Sequence, residues 1–219
     1  MKLDAYKLKW IAIIAMLLNH MVIAWWAIIP TGLAFPMYAV GGLTFPIMAF
    51  FVVEGYKHTS NLKRYVLRIL LVGFIALPFH FLTLGLALAP SLNIMFTIAL
   101  SLGVLAMYDK IKSRVLFWVI YILLIIPVSL IFEWSFPGVT MVLLFYIIKS
   151  EKKRRILPPI SAVFLSFIIS LVYFILEVEM PGIMADPNFI AVSSTFIIGI
   201  LLAPVLLVKF NGKRGKKMK

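Results

Sequence analysis

The chain has 219 residues, of which 63% are hydrophobic and 13% charged, with a mean hydropathy of +1.09. A soluble domain carries roughly 45–50% apolar and about 25% charged residues, and one core of this size cannot hide the excess, so lipid must solvate most of the surface. Zero Cys excludes disulfides, thiolate metal sites and a Cys nucleophile, while a net charge of +13 leaves the placement of the cations to decide between nucleic acid and a membrane surface.

The first apolar run begins at Leu8 and reaches Pro30. No small-residue cleavage site follows it, so it is expected to be a retained helix rather than a signal peptide. A membrane span needs ~20 mostly apolar residues. Runs of that kind predict helices at 8–30, 34–55, 64–86, 92–108, 114–132, 135–150, 157–177 and 187–209. The run at 92–108 is brief, and 34–55 carries Gly41, Gly42 and Pro46. The expected fold is an all-α integral membrane protein of about eight transmembrane helices, forming one domain over residues 1–219 with no linker.

The cations follow the same order. Lys2, Lys7 and Lys9 stand at the first helix, and Lys57, Lys63, Arg64 and Arg68 at the second connection. Lys110, Lys112 and Arg114 occupy the fourth connection, and Lys149, Lys152, Lys153, Arg154 and Arg155 the sixth. Lys209, Lys213, Arg214, Lys216, Lys217 and Lys219 close the chain, which accounts for all 21 Lys and Arg. The odd connections carry only Glu133, Glu177, Glu179 and Asp186. Positive charge is retained on the cytoplasmic side, so the expected topology is multi-pass in the cell membrane with both termini cytoplasmic. Cations dispersed over five such segments suit anionic lipid and leave no nucleic-acid site.

Ionisable and polar groups inside the spans are functional candidates, because hydrocarbon makes them costly. His20 falls ~16 Å beyond Lys9 at helical rise, and imidazole suits proton transfer near neutral pH; the alternative is a hydrogen bond to a neighbouring helix. Asn19 precedes it, ~100° away around the helix. Glu54 and His58 close the second helix opposite Arg64 and Arg68, which share a face at i, i+4. That group is either an ion-pair cluster or a seat for a phosphorylated donor, since Arg binds phosphate bidentately. His80 follows the kink expected at Pro78, in the outer half, where it either packs or takes part in chemistry. Asn93, Thr97 and Ser101 form a polar stripe, which either joins helices or lines a site. No metal-ligand set stands out.

Several of these positions belong to a longer pattern. The stretch Gly42-Leu43-Thr44-Phe45-Pro46-Ile47, continuing through Val53-Glu54-Gly55, His58-Thr59, Asn61 and Lys63-Arg64-Tyr65 to Arg68, resembles the core signature of the TraX family. So do Leu92-Asn93-Ile94-Met95-Phe96-Thr97, the tail Asn211-Gly212-Lys213-Arg214-Gly215, and Met16 to His20. The resemblance touches both ends and the first half of the chain. It implies membership of a wider group of membrane acyltransferases, which take an acyl group from cytosolic acyl-CoA and use an intramembrane His to deliver it. The founding TraX protein is associated with N-acetylation of conjugative pilin. By position, the resemblance implies His20 as catalytic base. Glu54, His58, Arg64, Arg68, Asn93, Thr97 and the tail with Lys213 and Arg214 would be donor-binding or structural positions for acetyl-CoA or another acyl-CoA; in the mechanism itself Asn93 or Thr97 would donate a hydrogen bond to the developing oxyanion. The acceptor would be a peptide amine, a lipid or a sugar. Asn19 stands where the family usually has Asp, and Gly42 where it usually has Arg.

Two other classes compete with the enzyme. A small transporter would need coupled carboxylates at mid-depth along a water-lined path, and no Asp or Glu is expected there. A noncatalytic assembly factor of a secretion or conjugation system would leave His20 dispensable.

Overall fold

The computed structural model describes residues 2–82, 91–176 and 185–215. Glu177, Glu179, Lys216, Lys217 and Lys219 lie outside the described residues. Among the described residues, eleven α-helices run as eight rods with no strand. The rods are α1 (Ala5–Ala24), the pair α2 (Thr31–Gly41) and α3 (Thr44–His58), α4 (Leu62–His80) and α5 (Ile94–Lys110). They continue with α6 (Arg114–Ile120) and α7 (Ile126–Ser129) joined by a π-helical turn, α8 (Ser135–Ile147), α9 (Glu151–Ile175), and the pair α10 (Pro187–Ser194) and α11 (Phe196–Val208). The chain is thus an all-α membrane protein.

Local chemistry sets the helix starts. Asp4, Asn61, Asn93, Ser113 and Asp186 each accept a backbone N–H of the first turn, which fills donors that a helix cannot satisfy itself. The π turn at Tyr121–Ile125 precedes Pro127, whose ring displaces the carbonyl four residues back and supplies no N–H.

Four rods are long and apolar enough to cross a membrane: Ala5–Ala24, Thr31–His58, Glu151–Ile175 and Pro187–Val208. The others are shorter. α5 has 17 residues and α8 only 13, or ~26 Å and ~20 Å against ~30 Å of hydrocarbon. The segments that lead into α5 and α8 therefore lie level with the last turns of α1, where Ile94 and Glu133 share a space with Asn19 and His20. The first rod also stops at Ala24, before the expected Pro30, because Trp25 to Ile29 fold into turns.

α3 and α8 are the most enclosed rods. Phe45, Phe50, Phe145 and Met141 are fully buried between them and α5, with Leu102 and Leu105. α2 meets α11 at Gly42 and Gly199, where a methyl group on either would strike the other rod's backbone oxygen. The chain ends are sewn together: Leu3 N–H donates to the Lys209 carbonyl at 2.9 Å, Asn211 N–H to Leu3 at 2.8 Å, and Ala5 N–H to Lys213 at 3.0 Å.

Candidate functional site

A cleft opens where the break between α2 and α3 faces α1, the start of α5 and the segment before α8. It holds about 260 Å³ of empty space, counting its mouth, and is lined by Met16, Asn19, His20, Gly41, Thr44, Ile94, Glu133, Trp134 and Phe196. Met16, Asn19 and His20 share one face of α1 at i, i+3 and i+4, so the angle between adjacent residues does not keep Asn19 and His20 apart. Counted from Ala5, His20 stands ~22 Å along the helix, and Ile94 stands ~24 Å from Lys110. The side-chain oxygen Oδ1 of Asn19 and Nδ1 of His20 are buried with no hydrogen-bond partner among the described residues. Such groups cost free energy unless something else meets them.

Glu133 is the residue that sequence reasoning missed. It was placed in an outer connection, and no Asp or Glu was expected at mid-depth. Glu133 does lie in the connection between α7 and α8, but its carboxylate is turned into the bundle rather than out to the surface. Leu92 and Glu133 clasp two chain segments together, with Leu92 N–H donating to Ile131 and Glu133 N–H to Leu92, each at 2.9 Å. This clasp turns the Glu133 carboxylate inward, where Oε2 accepts the Ile94 N–H at 2.9 Å. The acceptor sits at the positive end of α5, where first-turn amides lack partners. Part of the residue's surface stays open, but the carboxyl is enclosed. Burial pushes it up to about 7, although the Ile94 amide pulls the other way. Aromatic residues such as Phe132 and Trp134 are ordinary at a membrane interface, so the sequence held no signal that set Glu133 apart from the other outer acids.

Aromatic rings wall the cleft. Trp134 stacks on Phe45 with centroids 4.2 Å apart and lies 5.7 Å from Phe196. Tyr38 extends the wall to Phe196 at 5.4 Å, and Phe189 joins Tyr38 to Trp26. At the outer end Trp26 donates Nε1–H to Asp186 at 2.9 Å. That bond and the amides of α10 hold the Asp186 carboxyl below its usual value. His80 is close enough to His20 for their charges to interact, and its Nε2–H donates to the Ser91 carbonyl at 3.0 Å.

The other expected positions lie elsewhere. Asn93 does not line the cleft; its Oδ1 caps α5 at Met95 N–H and its Nδ2 donates to the Gly73 carbonyl at 2.9 Å. Both ends of the amide therefore have a partner, with one Nδ2 hydrogen left uncommitted. Thr97 is fully buried, its hydroxyl without a partner among the described residues, and it too is absent from the cleft.

At the basic end, the ion-pair alternative for Glu54 with Arg64 and Arg68 is not formed among the described residues. Glu54 pairs with Arg154 of α9, a residue only 4% exposed that also lies over the Phe50 ring at 4.9 Å and reaches Glu151 at 2.9 Å. His58 is occupied by its own helix, its Nδ1–H donating to the Glu54 carbonyl at 2.7 Å. Arg64 and Arg68 are exposed, with no carboxylate partner among the described residues. Lys213 and Arg214 are exposed in the tail seam, where Gly212 and Gly215 take positive φ of 74° and 82°. The expected donor-binding residues thus gather at the end of the bundle opposite to His20.

Comparison with known proteins agrees over the whole chain. The family model described as TraX protein matches residues 5–219. A relative described as "Probable fimbrial assembly protein FimC, serogroup H1", from Dichelobacter nodosus, is 29% identical over 237 aligned positions, covering 98% of this chain and 86% of its own length. No solved structure matches.

Proposed function

The chain belongs to the TraX family, and from that premise we propose that it is a membrane-embedded acyltransferase serving the assembly of a surface fibre. The observation that carries the proposal is the cleft, where the buried, unpartnered Nδ1 of His20 shares one space with a carboxylate and an unpartnered Asn19. In the proposed orientation both termini are cytoplasmic, in the cell membrane, and Arg64, Arg68, Lys213 and Arg214 face the cytosol. There they are free to hold the phosphates of an acyl-CoA donor by charge-assisted bonds.

The acceptor's X–H bond donates its proton to His20 as X attacks the thioester carbonyl. The X–C bond forms, the C–S bond breaks, and the proton passes from His20 to the departing thiolate. Asn19, which lines the cleft, takes the hydrogen-bonding role toward the developing oxyanion.

The name of the fimbrial relative favours a second reading, in which the protein assists assembly without chemistry. One experiment separates the two. Membranes carrying the full chain are supplied with labelled acetyl-CoA, and fibre assembly is scored in the same cells. His20→Ala and His20→Gln should each cut label transfer by roughly 10²–10⁴-fold, the usual loss when a general base is removed. Gln keeps a hydrogen bond but takes no proton at neutral pH, so a Gln variant that transfers normally would return His20 to a packing role. Normal assembly by both variants would favour the noncatalytic reading.

A further inference from the structure

We propose that Glu133 is a second residue of the reaction centre, the carboxylate partner that stabilises His20 when it carries the acceptor's proton. The inference rests on the acyl-transfer reading above and deepens it. Glu133 and His20 line one cleft although they are far apart in sequence. The carboxylate is held there by the Leu92 clasp and the Ile94 amide rather than by chance of rotamer. Around it stand His20 on α1, Tyr38 on α2, the positive end of α5 and the ring of Trp134, with His80 of α4 beside His20. No Lys or Arg pairs with it among the described residues.

An enclosed carboxylate without a cation is expensive, and the amide bond alone could be met by a neutral side chain. What a neutral side chain cannot provide is negative charge at the moment His20 becomes an imidazolium. During transfer the proton moves from X to His20 and on to the thiolate, while Glu133 acts in its ionised form and is unchanged at the end. Within aromatic walls that charge acts across a poorly screened gap.

The test uses membranes containing the full chain, with labelled acetyl-CoA as donor and the producing cell's own membranes as acceptor. Glu133→Gln still accepts the Ile94 N–H but carries no charge, and Glu133→Asp keeps the charge on a shorter arm. The expected result is a fall in maximal rate of at least roughly tenfold for Gln, the equivalent of one unit of lost proton affinity, with KM for acetyl-CoA unchanged. Asp should recover part of that rate. A normal rate in Glu133→Gln beside an inactive His20→Gln would overturn the role of Glu133 and leave the acyltransferase reading standing. Equal losses in Gln and Asp, both with reduced accumulation in the membrane, would reduce Glu133 to a helix cap. A wild-type chain that transfers no label would overturn the reading and this inference together.

Discussion

A carboxyl that titrates near 7 inside an apolar bundle works against the fold that contains it. The ordinary value for Glu is 4.5, and burial raises Glu133 to about 7. A folded-state value above the unfolded one means that the native state holds its proton more tightly. The associated stability is complete below about pH 4.5 and lost as pH rises to 7. The interval corresponds to about 3 kcal/mol at most. Glu133→Gln keeps the bond to Ile94 and removes the charge, so it should raise the thermal midpoint at pH 8 and leave it nearly unchanged at pH 5. Midpoints measured in the same detergent at both values check this; an equal shift at the two would show that charge is not what burial opposes. His20 was visible in the sequence because hydrocarbon surrounds it on both sides in the chain. Glu133 was not, because hydropathy places a residue by its neighbours in sequence, and the neighbours that matter to Glu133 are Leu92 and Ile94.

At the scale of elements, apolar runs exposed every rod, since each must satisfy its backbone internally in lipid. What they did not expose was how the rods touch. The junction of α2 and α3 crosses α11 at Gly42 and Gly199, backbone against backbone, and Gly41 and Phe196 on either side of that crossing line the cleft. The contact also leaves no room for a side chain at Gly42, where none fits against Phe196 and Gly199. Gly199→Ala should therefore cost about 1–3 kcal/mol, as overpacking does, and should lower transfer by displacing the cleft wall. Gly103 on α5 is the control, because nothing lies within 4 Å of an added methyl there. Gly103→Ala should be neutral or stabilising by about 0.5–1 kcal/mol from helix propensity. Equal thermal shifts in the two variants would contradict a tight crossing. The ion-pair alternative at Glu54 met a different partner for a related reason. Spacing within one helix put Glu54 opposite Arg64 and Arg68, whereas the fold brings α9 alongside and offers Arg154 with the Phe50 ring behind it.

At the scale of the whole molecule, the charges sort to opposite ends of the bundle, and this supports one orientation. Glu54 pairs with Arg154, Asp109 accepts from Tyr56 and Tyr146, Arg155 reaches the Phe210 carbonyl, and Leu3 is bonded to Lys209. Those contacts draw all five basic segments onto one end. The opposite end carries Trp26, Asp186 and the turns from Trp25 to Ile29. Each Lys or Arg near an anionic leaflet contributes about 1 kcal/mol, so inverting the bundle would oppose the sum of many such terms. The chain has no Cys, so a single introduced Cys reports its own side without background. Ile28 is 78% exposed at the acidic end, and Lys152 and Lys213 are exposed at the basic one. In intact cells a membrane-impermeant maleimide should label Ile28→Cys, and should label Lys152→Cys and Lys213→Cys only after permeabilisation. The seam between Ala5 and Lys213 makes the Lys213 result report the amino terminus as well. Labelling of Lys152 and Ile28 from the same side would break the eight-rod topology. Labelling of Lys152 alone in intact cells would invert it, leaving Arg64 and Arg68 on the side away from any cytosolic acyl-CoA.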